Sequence, residues 1–214
     1  MNGIIADLLF AFVLSPEEEH RGYYQALTIG YFDEIVSRMD GEKGSFVMMT
    51  KLGCDGEALA IREYYSKSSE CSVKYYESAL YPTALSVEGD NRLSYSALSD
   101  IRKEDVISFI DECDVDTLFI SGTLLSLKPV SREIVAAVLE RKEKLERVIV
   151  DTSLDYDILL LEEVRECTER IRECGIRTLL VGEALTIEGV GGMSATRRDE
   201  ILSGLMEEQG QERI

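Results

Sequence analysis

Residues Leu118 to Asp157, LFISGTLLSLKPVSREIVAAVLERKEKLERVIVDTSLDYD, set two short apolar runs around one long amphipathic stretch, and few folds accept that order. Leu118-Phe119-Ile120 and Val148-Ile149-Val150 are continuous apolar triplets. Such triplets suit strands buried on both faces of a parallel sheet. Between them Pro129 fits the first turn of a helix, and Ile134, Val135, Val138 and Leu139 recur at helical spacing. Strand, glycine turn, helix, strand and acidic loop make one βαβ unit, which predicts an α/β fold. Open sheets of this class take ligands beyond the carboxyl ends of their strands. Ser121-Gly122-Thr123 and Asp151 to Asp157 therefore mark the expected functional edge.

A chain of 214 residues, 45% of them hydrophobic, can build one large core, so a single domain over residues 1–214 is expected. A net charge of -18 argues against nucleic acid and against anionic membrane surfaces. No apolar run approaches the roughly 20 residues of a spanning helix. Met1 to Leu14 carries Asp7 and no basic leader, which predicts a cytoplasmic protein without a signal peptide. The five cysteines form no C-x-x-C pair, so a disulfide framework is not expected. Cys167 and Cys174 fall on the stripe Leu160, Val164, Cys167, Ile171 and Cys174, where cysteine behaves as a small hydrophobe. His20 is the single histidine, which rules out a His-rich zinc site. It follows Glu17-Glu18-Glu19 in what reads as a polar loop, and a solvated side chain is expected there.

Along the chain, Ile4 to Leu14 reads as one strand, residues 30–39 as a helical face of Ile35, Val36 and Met39, and Ser45 to Thr50 as a second buried strand. Gly53 to Gly56 turns into a helix whose Ala58, Ile61 and Tyr65 share a face. Ser72 to Glu77, Thr83 to Val87 and Arg92 to Ser96 are short runs rich in Tyr, Val, Thr and Ser. They predict a small antiparallel flap at about 72–96. Asp100 reads as the cap of a helix carrying Val106, Ile107, Ile110 and Cys113. A helix from about Ile158 to Cys174 should stop at Gly175, followed by a strand at Arg177 to Val181. Gly189 to Gly192 reads as a glycine-rich turn and Arg197 to Glu208 as a polar helix.

Neither G-x-x-x-x-G-K-[ST] nor G-x-G-x-x-G occurs. Gly189 to Gly192 can present N–H groups to a phosphate or simply turn the chain. Asp151, Asp155 and Asp157 can hold Mg²⁺ or orient a hydroxyl, since carboxylates suit hard cations, or they can be solvated with one of them capping a helix.

The order of LGCDGEALAIREYY (52–65), PTALSVEGDNRLSY (82–95), LFISGTLLSLKPVSREIVAAVLE (118–140) and VIVDTSLD (148–155) resembles the PfkB-type carbohydrate kinases of the ribokinase-like fold. The resemblance spans about residues 45–185. It implies a three-layer α/β domain with a mainly parallel sheet and a β-flap lid. It also implies transfer of the γ-phosphoryl of ATP, with Mg²⁺, to a sugar hydroxyl. Carried over residue by residue, the ligand site would use Asp7, Gly30, Glu34, Thr83, Gly122, Asp151, Ser153 and Asp155. Several of these depart from the family pattern. Ala6-Asp7-Leu8-Leu9-Phe10-Ala11 stands for "G-E-x-x-x-D", so Ala11 replaces the sugar-contacting aspartate. Glu34 replaces the asparagine of "G-G-x-x-x-N"; in "D-P-N-x-R", Ser153 replaces the asparagine and Asp155 the arginine.

No match to the family's "G-A-G-D" turn, which bears the catalytic base, is found, so no catalytic residue and no protein-built metal site is assigned. The expected activity is accordingly a sugar kinase's, weak or lost. A non-catalytic sugar or nucleotide sensor and a structural dimerisation partner are the alternatives, and neither needs ATP turnover. The expected ligand is a neutral sugar or polyol. Tyr75, Tyr76, Tyr81 and Tyr95 on the flap predict a homodimer through it.

Overall fold

A computed structural model describes residues 1–6, 10–14, 19–21, 46–67, 72–87, 90–91, 95–151 and 161–181. Six strands form one wholly parallel sheet: β1 (Asn2–Ile5), β4 (Phe46–Leu52), β5 (Ser72–Glu77), β8 (Thr117–Ser121), β9 (Arg147–Asp151) and β10 (Arg177–Val181). Their order is β10-β9-β8-β1-β4-β5. A second sheet of β2 (Phe10–Leu14), β3 (Glu19–Arg21), β6 (Leu85–Val87) and β7 (Asp90–Asn91) runs in the order β3-β2-β6-β7.

Successive side chains of the central strands alternate between the two faces of the sheet, as a two-period pleat requires, and both faces are buried. Ile5, Val47, Met49, Leu118, Ile120, Val148 and Val150 point to one face. They meet α2 (Lys103–Glu112), α4 (Lys128–Glu140) and α5 (Leu161–Glu173) there. Ile4, Met48, Leu52, Phe119 and Ile149 point to the other, against Ala58, Ile61 and Tyr65 of α1 (Gly56–Ser66). The result is three layers. The sides follow from winding direction: β4 to β5 steps outward one way through α1, while β8 to β9 to β10 steps the opposite way through α4 and α5. Right-handed crossovers then put the helices on opposite faces.

Among the described residues the strand, helix and second strand of the expected βαβ unit are present. Pro129 lies in the first turn of α4, and Ile134, Val135 and Val138 are fully buried. Gly122 opens a short helix, α3 (Gly122–Ser126), rather than a bare turn. The α1 face is the expected one, and α5 stops at Glu173, two residues before Gly175, whose φ of 83° is the left-handed conformation that glycine adopts freely.

Four expectations are corrected. Ile4 to Leu14 is not one strand: Ile4 and Ile5 belong to β1 of the main sheet and Phe10–Leu14 is β2 of the second, since apolar residues on both sides of Asp7 read as one run. Ser72 to Glu77 is no flap strand: it pairs parallel with β4 as the edge of the main sheet, where half-burial makes a strand polar. Tyr75 and Tyr76 thus pack on their own domain, one on each face of the sheet. Cys174 is exposed, lying past the end of α5 where the Gly175 turn carries it off the buried stripe. His20 sits within β3 rather than a loop, paired with Val13 of β2.

The helical face at residues 30–39, the runs at 92–94, 189–192 and 197–208, and Leu160 lie outside the described residues. Among the described residues no helix is long and apolar enough to cross a membrane.

Candidate functional site at the carboxyl edge of the sheet

The strand order changes direction once. From β1 the chain's next partner strand is β4 on one side, and the later β8 joins on the other side. In an open α/β sheet the ligand crevice opens at such a switch, beyond the carboxyl ends of the strands it separates. Ile5 is in register with both Met49 and Ile120, and Ser121 with Asp151. Hence Ala6, Gly122 and Asp151 leave the sheet at the same edge. The Ala6 N–H donates to the Met49 carbonyl at 3.0 Å, holding β1 in place to its last residue. Ser121, Thr123 and Ser126 put buried hydroxyls here, and Ser126 Oγ donates to the Thr123 carbonyl at 2.7 Å.

Beside this edge, β4 runs into the Gly53-Cys54-Asp55 turn. Asp55 is the N-cap of α1 and accepts from the Ala58 N–H at 2.9 Å. Its carboxylate also accepts from the Thr83 N–H and the Thr83 hydroxyl, both at 2.6 Å. The same hydroxyl accepts from the Gly53 N–H at 3.1 Å. Thr83, the expected ligand residue on the flap, is thus a 3% exposed side chain whose one hydroxyl hydrogen is committed to Asp55. Burial pushes the Asp55 carboxyl up, but the hydrogen bonds from Thr83 and Ala58 outweigh it and hold its pKa below the ordinary aspartate value. Glycine at position 53 has a steric reason. A Cβ there would sit 2.6 Å from the Thr83 nitrogen and 2.8 Å from the Pro82 carbonyl carbon.

A second polar cluster lies behind the first. The Lys51 ammonium, 5% exposed, donates to Asp105 at 2.7 Å and to the Asp100 carbonyl at 2.8 Å. The Asp100 carboxylate accepts from Ser78 at 2.8 Å and from both guanidinium arms of Arg102 at 3.0 and 2.6 Å. For Asp100 too, burial raises the pKa, and the Ser78 and Arg102 hydrogen bonds with the Lys51 charge bring it below the ordinary value. Asp100 is therefore not the cap of α2. It closes the 3₁₀ turn Ala97–Asp100, and Asp105 takes the capping duty by accepting from the Arg102 N–H at 3.0 Å.

Of the ligand residues expected from sequence, Gly122 and Asp151 come together at the edge, and Thr83 lies at the neighbouring turn. Asp7, Gly30, Glu34, Ser153, Asp155 and Asp157 lie outside the described residues. Lys51, Asp55, Asp100 and Asp105 were not foreseen as a group. The one available signal was a lysine near the end of an otherwise apolar strand, FVMMTKL, which needs a buried anion. Among the described residues no three His, Cys, Asp or Glu side chains are grouped to hold a metal ion.

No protein-family model matches the chain, and no curated protein matches it in sequence. Solved structures do match in fold. A PfkB family carbohydrate kinase from Listeria grayi superposes with a TM-score of 0.61 at 9% identity, over 95% of this chain and 67% of that one. A provisional ribokinase II from Escherichia coli, in complex with ATP and Mg²⁺, gives 0.60 at 14% identity over 97% and 69%. An uncharacterized sugar kinase from Pyrococcus horikoshii, in complex with ATP, gives 0.55 at 13% identity over 91% and 75%. The chain has the ribokinase-like fold of the PfkB-type sugar kinases.

Proposed function

We propose that the chain is a relative of the PfkB sugar kinases that binds a neutral sugar or polyol in the crevice between β1 and β8, with weak phosphoryl transfer from ATP. The observation that carries this is the switch point itself: Ala6, Gly122 and Asp151 leave the sheet together, next to a separate small sheet suited to act as a lid. The weakness follows from Ala11, Ser153 and Asp155, which stand where the family pattern has aspartate, asparagine and arginine. Phosphoryl transfer rests on positioning and on stabilising charge over the phosphate oxygens. Replacing a cation by Asp155 works against the second. An edge bearing carboxylates and hydroxyls also favours neutral polyols over sugar acids.

The donors described at this edge fit Mg²⁺ arriving with nucleotide phosphates, which needs only one or two protein carboxylates, rather than a protein-built cage. Asp151, which ends β9 in register with Ser121, is the residue proposed for that duty. Bound Mg-ATP supplies the phosphoryl group, while this chain's residues orient the acceptor hydroxyl and exclude water. The protein is further proposed to be cytoplasmic and to dimerise through the second sheet and its neck, where Leu80 and Tyr95 are each 76% exposed.

A thermal-shift screen of sugars and polyols with and without Mg-ATP, coupled to ADP release, tests the proposal. A ligand at a hundredfold over its Kd should raise Tm by about 5–10 °C, with turnover below about 1 s⁻¹. Absence of any sugar or polyol shift refutes the binding site, and faster turnover on a hexose or pentose refutes the weakness. A mass near 24.0 kDa by light scattering at micromolar concentration refutes the dimer.

A further inference from the structure

We infer that Asp55 and Thr83 are positioning residues that set where the second sheet leaves the body of the domain, and thereby the pose of its strands over the crevice; the crevice itself rests on the function proposed above.

Thr83 stands two residues before β6, so its placement decides the line along which β6 departs. Ala97, on the returning chain, donates its N–H to the Pro82 carbonyl at 2.7 Å. Outgoing and returning chain are thus tied at one neck. Both β6 and β7 lie in the chain between those two tied residues.

Capping α1 needs one acceptor, and Ala58 supplies the donor that uses it. The two bonds to Thr83 have no part in the helix. They also explain why this cap is an aspartate. Serine or asparagine caps a helix about as well, but accepting on both oxygens at once demands a carboxylate. Asp55→Asn therefore keeps the Oδ1 that serves Ala58 and the Thr83 hydroxyl, and sets an amide NH₂ against the Thr83 N–H donor. Capping survives while the hold on the Thr83 backbone is lost.

Hydrogen exchange on the full chain reads the effect without any ligand. Asp55→Asn and Thr83→Val should each speed amide exchange in Leu85–Val87 and Asp90–Asn91 about tenfold, as for loss of a hydrogen bond to a charged group. Exchange in β8, β9 and α1 should not change, and Thr83→Ser should restore the wild-type pattern. The first sugar or polyol that shifts the wild type should bind Asp55→Asn about tenfold more weakly.

Unchanged exchange at Leu85–Asn91 in both variants overturns the inference. So does an equal rise through β8 and β9, which would mark general destabilisation. If exchange responds as expected while no sugar or polyol binds the wild type, the neck stands and the ligand assignment falls. If a ligand binds both proteins equally, the neck falls and the ligand assignment stands.

Discussion

From Thr117 to Val150 every buried side chain is apolar or a small hydroxyl, and no charged group is taken out of water. A few residues away, the neck between β4 and α2 is held by Lys51, Asp100, Asp105, Arg102, Asp55 and Thr83 through at least eight polar contacts of 3.1 Å or less. The first region coheres by excluded apolar area, which is non-directional and tolerant of small shifts. The second coheres by bonds that each fix an angle, and a buried ion left alone there is severely penalised. One region supplies stability, the other supplies a defined direction for the chain that leaves it.

The largest test of that contrast is Lys51→Met. It leaves Asp105 and the Asp100 carbonyl without their buried cation and should destabilise the fold by about 3–5 kcal/mol in chemical denaturation. A loss under about 1 kcal/mol would show that the cluster is solvated in solution. Ile134→Ala in α4 should fall at about 2–4 kcal/mol, the range of cavity-forming changes. Unlike Lys51→Met, it should leave exchange at Leu85–Val87 unaltered relative to the rest of the fold. Gly53→Ala pushes a methyl against the Thr83 backbone and should cost about 1–3 kcal/mol, the range for overpacking. Its damage should concentrate at the neck, as read by exchange.

The smallest effect is acid sensitivity. Asp55 and Asp100 both titrate below the ordinary 3.8 when folded, so their stabilisation is present above about pH 4 and lost as pH falls through their folded values. Exchange at the neck should therefore quicken as pH falls below the ordinary aspartate value of about 4, with β8 and β9 still protected. Simultaneous loss of both regions would erase the distinction between them.

The same contrast explains what could be read from the chain. Leu118-Phe119-Ile120, Val148-Ile149-Val150 and the Ile134, Val135, Val138 stripe announce themselves because apolar burial is periodic along one element. The α1 face of Ala58, Ile61 and Tyr65 was legible for that reason too. Ser72–Glu77 misled because an edge strand is only half-covered, and its Tyr, Lys and Ser then imitate a small antiparallel hairpin. The Lys51 cluster left only the lysine itself as a mark in the sequence, because its partners lie 49 and 54 residues downstream. Asp100 looked like a cap because aspartate before a helix usually is one, and only the fold reveals that Arg102 and Ser78 claim it. At the edge, Gly122 and Asp151 were found by strand logic, since in-register parallel strands must end together.

The central place of β1 carries a consequence for biosynthesis. Asn2 pairs with Phe46 on one side and with Thr117 on the other, so β1 cannot gain both neighbours until the chain has grown past Ser121. At about 5–20 residues per second, that is a wait of roughly 6–24 s. During it Ile4 and Ile5 have no second neighbour to bury them. Chains stalled on the ribosome short of β8 should remain sensitive to protease throughout β1 and β4. Chains stalled once β9 has emerged should resist, because β8 then pairs with β1, β9 pairs with β8, and α2 and α4 cover the shared face of the sheet.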